Sequence, residues 1–179
     1  YYGGTLKTID NLKFNKINVS DSVFVSGTIT ASELKLTNSG NLTCSANATL
    51  NAAVYVGCEP TGSNFDNGGF ELQFEKTVES INDSGTLYSL KFDGSGTTVL
   101  KSDVNVKEIV SDSPLEIEGV KIYSAGNQTY KEAVKLSSST SAAAFVSADA
   151  GSAMEFQKNI TGSGKNIVFG ESSGMATNR

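Results

Sequence analysis

Apolar and polar residues alternate along this chain in short bursts, never in long runs. Val23 to Thr30 reads VFVSGTIT, Glu33 to Leu36 reads ELKL, Phe70 to Glu75 reads FELQFE, and Leu87 to Phe92 reads LYSLKF. The same period of two runs through Asp103 to Val110 (DVNVKEIV), Leu115 to Ile122 (LEIEGVKI) and Asn166 to Phe169 (NIVF). Successive side chains of a strand point to opposite faces, so each burst predicts a short strand with one buried face. Between the bursts lie TNSGN, NDSG, DGSG, SAGN and TGSG, which are turn-forming clusters. Leu90/Phe92, Val104/Val106, Leu115/Ile117 and Val134/Leu136 are the pairs expected to fill the inside.

Helix signals are scarce. Ser141 to Ala150, SAAAFVSADA, is Ala-rich and fits a short helix or a strand equally well. Pro60 and Pro114 both stand beside turns. Glu59 to Gly69 (EPTGSNFDNGG) reads as the longest loop, and an insertion or joint is placed there, near residues 59–69.

A partial repeat is visible. FEKTVES starts at Phe74 and FQKNITG at Phe156, and their Lys76 and Lys158 lie 82 residues apart. Four coils over that span would have roughly 20 residues each, a size known among solenoid repeats. The pattern therefore predicts an all-β fold, a right-handed parallel β-helix with short turns and one longer loop, built as one elongated domain over residues 1–179. A β-sandwich, which also presents short strands every 8–12 residues or so, is the alternative.

Composition narrows the function classes. Of 179 residues 38% are hydrophobic and only 18% charged; Ser, Thr, Asn and Gly fill the difference. That balance suits a β-rich extracellular protein with many exposed turns. The net charge is −5 and the only Arg is Arg179. Such a chain has little with which to neutralise phosphates, so nucleic acid is not an expected partner. No apolar run approaches the length of a membrane span. The first residues, YYGGTLKTID, lack Met, which suggests a trimmed chain or a piece of a longer one.

Candidate chemistry is thin. There is no His, which removes the usual Ser-His-Asp and Cys-His nucleophile systems and every His-based metal site. Asn159 to Gly170, NITGSGKNIVFG, resembles a phosphate-binding loop at Gly162, Gly164 and Lys165. However, position 159 is Asn where that motif needs Gly, Asn166 follows the Lys, and a β-rich run stands where a helix should open. Strand, turn, strand is the expected structure. Cys44 and Cys58 are either a disulfide or two buried free thiols on strands. Glu116 and Glu118 share an outward strand face, and Glu71, Glu75 and Glu79 gather near another; they read as solvated charges, although paired carboxylates are what glycoside hydrolysis would require. No cofactor is expected. Calcium is the one metal the turn acids Asp66, Asp83 and Asp93 could serve, while Asx-turns account for them with nothing bound.

A family resemblance rests on Ala125 to Gly170. AGNQTYKEAVKL, a β-rich gap and then FQKNITGSGKNIVF resemble a recurring unit of filamentous-haemagglutinin-like adhesins and autotransporter passengers of bacteria. In those repeats a Gln-Thr-Tyr precedes a Val-x-Leu strand and a Gly-x-Gly turn leads into the next. The resemblance implies a right-handed parallel β-helix, export to the bacterial outer surface or beyond, and a stalk or adhesive role; the absence of His, the single terminal Arg and the lack of a nucleophile or metal constellation separately predict that the chain is not an enzyme. The chain departs from such passengers in its cysteine pair and in having no RGD tripeptide. On this reading the partner is a host-surface protein or glycan, and Asn64, Phe65, Asp66 and Asn67 form the expected contact loop. The alternative function is a carbohydrate-binding or polysaccharide-processing β-helix module.

Overall fold

The computed structural model describes residues 4–5, 13–82, 84–118, 121–137, 142–149, 151–162 and 164–171. Its first strands are β1 (Gly4–Thr5), β2 (Lys13–Val19), β3 (Ser22–Leu36), β4 (Asn41–Val56), β5 (Phe65–Asp66), β6 (Leu72–Phe74), β7 (Val78–Glu79), β8 (Leu90–Asp93) and β9 (Thr98–Leu100). Then come β10 (Val104–Val106), β11 (Ile109–Ser111), β12 (Leu115–Ile117), β13 (Lys121–Ser124), β14 (Gln128–Tyr130), β15 (Val134–Leu136), β16 (Ala142–Ser147), β17 (Met154–Phe156), β18 (Ile160–Thr161) and β19 (Asn166–Glu171). All the strand ladders are parallel, and each strand from β5 on pairs with the strand three places before or after it; the described residues contain no helix. The chain is an all-β parallel β-solenoid of about 7 turns.

The geometry of one coil is displayed by β4. Its Leu42–Thr43 pairs with β5, its Ala48 to Leu50 with β6, and its Val54–Tyr55 with β7. One long strand thus spans what later coils divide into three short strands, and the coil has three faces. Face A stacks β5, β8, β11, β14 and β17; face B stacks β6, β9, β12, β15 and β18; face C stacks β7, β10, β13, β16 and β19. At about 4.8 Å per parallel step, 7 turns rise roughly 34 Å along the axis. β3 follows β4 around the corners with register shifts between Val25 and Gly27 and between Thr30 and Glu33, which is how a continuous strand bends without a turn.

Burial follows the predicted alternation. In β6, β10, β11, β12 and β14 the outer two residues are buried and the middle one points out. All four predicted inside pairs, from Leu90/Phe92 to Val134/Leu136, lie in the core. Face A carries an inward column Val23, Leu42, Phe65, Phe92, Ser111, Tyr130, Phe156. Phe65, Phe74 and Phe92 form one aromatic cluster, with centroids 5.0 to 5.8 Å apart. Tyr130, Phe145 and Phe156 form a second, with Phe156 stacked on Tyr130 at 4.7 Å. Between the clusters the interior turns polar. Ser111 Oγ donates to Ser113 O at 2.8 Å, and Ser113 Oγ meets Thr98 Oγ1 at 3.1 Å.

The conspicuous Gln-Thr-Tyr has a structural role. Gln128 is fully buried, and its Nε2 donates to Val146 O at 2.8 Å and to Ser124 Oγ at 3.1 Å. Tyr130 Oη donates to Gln128 Oε1 at 2.8 Å, which closes a network around the corner between faces C and A. Burial alone pushes the Tyr130 phenol well above its usual range, so the hydroxyl keeps its proton to donate.

Several expectations need correction. Asp103 to Val110 and Leu115 to Ile122 each divide into two strands on different faces, because a corner intervenes. Leu87 to Ser89 is not part of β8; Leu87 forms an isolated antiparallel bridge with Ile81. In the Ala-rich segment, Ala142–Ser147 is strand β16, with Ala143 and Phe145 inside. Phe74 and Phe156 are not equivalent positions: Phe74 stacks with Leu100, Ile117 and Leu136 on face B, while Phe156 stacks with Tyr130 on face A. Coil length also varies, with 17 residues from Thr98 to its partner Leu115 and 27 from Phe65 to its partner Phe92.

Two substitutions test this core. Phe65→Ala empties a fully buried ring position and is expected to cost about 3–5 kcal/mol, read as a lower urea midpoint. Tyr130→Phe strands the buried Gln128 Oε1 and is expected to cost about 1–3 kcal/mol in the same measurement.

Candidate functional site

The expected contact loop lies in the wall of the solenoid. Asn64, Phe65 and Asn67 are fully buried, and Phe65 belongs to strand β5. Asn64 Oδ1 accepts the Lys91 amide at 2.9 Å. Asn67 turns its amide inward, giving Nδ2 to Gly96 O at 2.9 Å and Thr98 Oγ1 at 3.2 Å and taking the Gly96 amide on Oδ1 at 2.9 Å. A corner leaves backbone groups that no strand can satisfy, and these Asn side chains satisfy them. The DGSG corner above is shaped to fit: a Cβ on Gly96 would stand 1.8 Å from Phe70 O, and one on Gly94 (φ +104°) 2.2 Å from Asn67 Oδ1. Asp66 alone of the four is partly exposed.

The other predicted chemistry is dispersed. Cys44 and Cys58 are separate buried free thiols, so the second of the two expectations describes them. Burial, reinforced by the Asp66 charge, pushes the Cys44 thiol up to about 11; burial, with the Glu59 charge, also raises Cys58, partly offset by the Gly40 backbone. Asp66 Oδ1 accepts the Gly68 amide at 2.8 Å, as an Asx-turn does, and Asp93 Oδ1 accepts the amide of the very next residue, Gly94, at 2.8 Å. The third turn acid, Asp83, and the terminal Arg179 lie outside the described residues. Among the described residues no three His, Cys, Asp or Glu gather around a metal position. Gly162, Gly164 and Lys165 connect strands β18 and β19, with Gly164 at φ +67°.

Carboxylates are matched with lysines on neighbouring coils. Lys135 Nζ lies 3.0 Å from Glu116 Oε2, and Lys101 Nζ 3.1 Å from Glu75 Oε1. Glu118 adds to the field that raises Lys101, after the Glu75 hydrogen bond. Glu79 stands apart from Glu71 and Glu75, on face C. Asp112 is held between Lys131 at 2.8 Å and Lys91 at 3.1 Å. Partial burial pushes its carboxyl up, but the two lysine hydrogen bonds and charges outweigh that and leave it below its usual value.

One region departs from this regularity. The longest connection among the described residues runs from 80 to 89, between β7 and β8. It is a small hairpin closed by the Ile81–Leu87 bridge. Asn82 organises it: its Oδ1 accepts the Ser84 amide at 3.0 Å and the Thr86 amide at 2.9 Å, and its Nδ2 donates to Tyr88 Oη at 2.9 Å. The hairpin stands beside face C and forms an indentation of about 360 Å³ lined by Glu33, Lys35, Tyr55, Glu79, Ile81 and Asn82, together with Gly85. A second indentation of about 270 Å³ shares Lys35 and continues past Asn18, Ser20, Thr37 and Asn38. The sequence marks this hairpin only as an NDSG turn; the greater length of INDSGTLYS was the available signal, hidden because Leu87 and Tyr88 complete an apparent strand with Leu90 and Phe92.

Asp112→Asn is expected to lower stability by about 1 kcal/mol at neutral pH. A carboxyl held low contributes above its unfolded pKa and loses that contribution as pH falls through the folded value, so the gap between the proteins should persist above roughly pH 5 and close in more acid solution, as read by urea midpoints against pH. Both thiols should resist a thiol reagent in the native protein and react together on unfolding. Compared with protein-family models, with curated proteins and with solved structures, the chain matches none.

Proposed function

We propose that the chain is a non-enzymatic bacterial cell-surface or secreted β-solenoid, an adhesin or stalk segment that mediates attachment, as its resemblance to filamentous-haemagglutinin-like and autotransporter passengers implies. The observation that carries the reading is the groove on face C. Ile81 and Asn82 of the hairpin line it together with Tyr55 and Glu79 of face C, and the ladder continues from Glu79 to Asn105 and Tyr123. Rigid aromatic and amide groups on a regular scaffold suit recognition, because little ordering is needed when a partner binds. The ion pairing of Glu116 with Lys135 and of Glu75 with Lys101 supports a structural role for carboxylates that would otherwise be catalytic candidates. Export fits the exposed Asn, Ser and Thr turns; the partner on this reading is a host-surface protein or glycan, without calcium or another cofactor.

The test is direct. The whole protein is applied to host cells and to matrix-coated surfaces, and separately incubated with neutral and acidic polysaccharides. Saturable adhesion without new reducing ends is the expected result. Reproducible cleavage lost in Glu116→Gln or Glu118→Gln would replace the reading with an enzyme, and absence of adhesion to every surface would leave only a stalk.

A further inference from the structure

Face C carries a single outward column along the solenoid axis. Asn18, Lys35, Tyr55, Glu79, Asn105 and Tyr123 are consecutive partners in the parallel ladder. At about 4.8 Å per step the five steps extend roughly 24 Å. Tyr55 and Tyr123 are partly exposed, and Lys121 lies over the Tyr123 ring at 5.6 Å, which holds that ring in place. The column is therefore a track with aromatic faces separated by a carboxylate and an amide.

Glu79 is the one carboxylate of the column. Glu33 is held by Lys16, Glu59 by Lys107, Glu75 by Lys101 and Glu116 by Lys135. Among the described residues Glu79 makes neither a hydrogen bond nor an ion pair, although it is half-buried in the groove wall region. It presents a strong acceptor with nothing to accept. Asn105 Oδ1, the next position up, is covered and also without a donor. Fold stability favours neither arrangement, since covered acceptors are ordinarily paired. Asn82, in the same lining, uses one of its two Nδ2 hydrogens for Tyr88, which leaves a second N–H on that amide. Ile81 adds an apolar side chain to the same lining.

We infer that face C between Asn18 and Tyr123 binds an uncharged oligosaccharide of N-acetylated amino sugars, laid along the axis. This assignment rests on the attachment reading and gives it a ligand class. Tyr55 offers the negative face of its ring to the C–H groups of a sugar ring. Glu79 accepts the acetamido N–H or a hydroxyl. Ile81 receives the acetyl methyl, and the second Asn82 N–H reaches the acetyl carbonyl. The acetamido group is what uses an acceptor, a donor and an apolar patch together; a plain glucan would leave Ile81 unused. Acidic glycans are disfavoured by Glu33 and Glu79 and by the net charge of −5.

Calorimetric titration of the whole protein with a five-residue chito-oligosaccharide is the test. The five-residue cello-oligosaccharide and an oligogalacturonate are the comparison probes. Binding of the chito-oligosaccharide is expected, at least tenfold tighter than that of either comparison. Tyr55→Ala and the isosteric Glu79→Gln should each weaken it tenfold or more, and Lys135→Ala on face B should leave it unchanged. Thermal unfolding of each variant separates a lost contact from a lost fold, and Glu79→Gln, at an outward position, should melt within a few degrees of the parent. Equal binding of all three probes, or binding indifferent to Glu79→Gln in a folded variant, overturns the assignment. So does no binding of the chito-oligosaccharide by protein that still adheres to cells, a result that spares attachment; protein that binds neither sugar nor cells removes both readings.

Discussion

A strand of three residues buries too little to hold itself. Here each one is kept by parallel hydrogen bonds to the coil below and the coil above, as β11 is by β8 and β14. This inter-coil ladder is the constraint on which everything else depends. It requires every coil to return to the same three faces, so inward residues stack upon inward residues and outward upon outward. The aromatic column of face A and the lysine–carboxylate matches between neighbouring coils are two expressions of that one requirement. It also explains the polar interior. Corners leave amides and carbonyls that the ladder cannot reach, and Asn67, Ser111 and Gln128 turn inward to meet them.

Local alternation was legible because it depends on nearest neighbours. Leu90/Phe92 and Val104/Val106 declare their buried face without reference to anything distant. Registration between coils was not, because it depends on how many residues each corner consumes. Phe74 and Phe156 begin similar heptapeptides yet lie on different faces, since corners of unequal length come between them. The burial of the expected contact loop was hidden for a related reason. Asn64 and Asn67 have the composition of a solvent loop, and only the three-dimensional corner reveals that their amides satisfy buried backbone. The 80–89 hairpin was masked in the opposite sense, because its Leu87 continues the apolar alternation of β8 while pairing elsewhere.

The groove on face C brings an aromatic ring, an amide, an aliphatic side chain and carboxylates into one lining. Several carboxylates, Glu75, Asp112 and Glu116 among them, meet lysines on a neighbouring coil. Beside the hairpin this matching fails at Glu79, and the wall is stiffened by three hydrogen bonds from one Asn82 side chain. Such stiffening brings polar groups into convergence, which a solenoid wall alone does not require. The lysine–carboxylate pairs belong to the scaffold, whereas Tyr55, Glu79 and Asn82 belong to the surface that the scaffold displays.

The unequal coils have a consequence for how this protein can change over generations. Between Phe65 and Phe92 the chain takes 27 residues for a circuit that Thr98 to Leu115 completes in 17. The strands remain aligned in both cases, and the surplus is carried by connections such as the 80–89 hairpin. Lineages can therefore acquire or lose peptide at a corner while the stacked faces stay in register. Novelty would accumulate at the edges of this prism, and its three walls would record the ancestry.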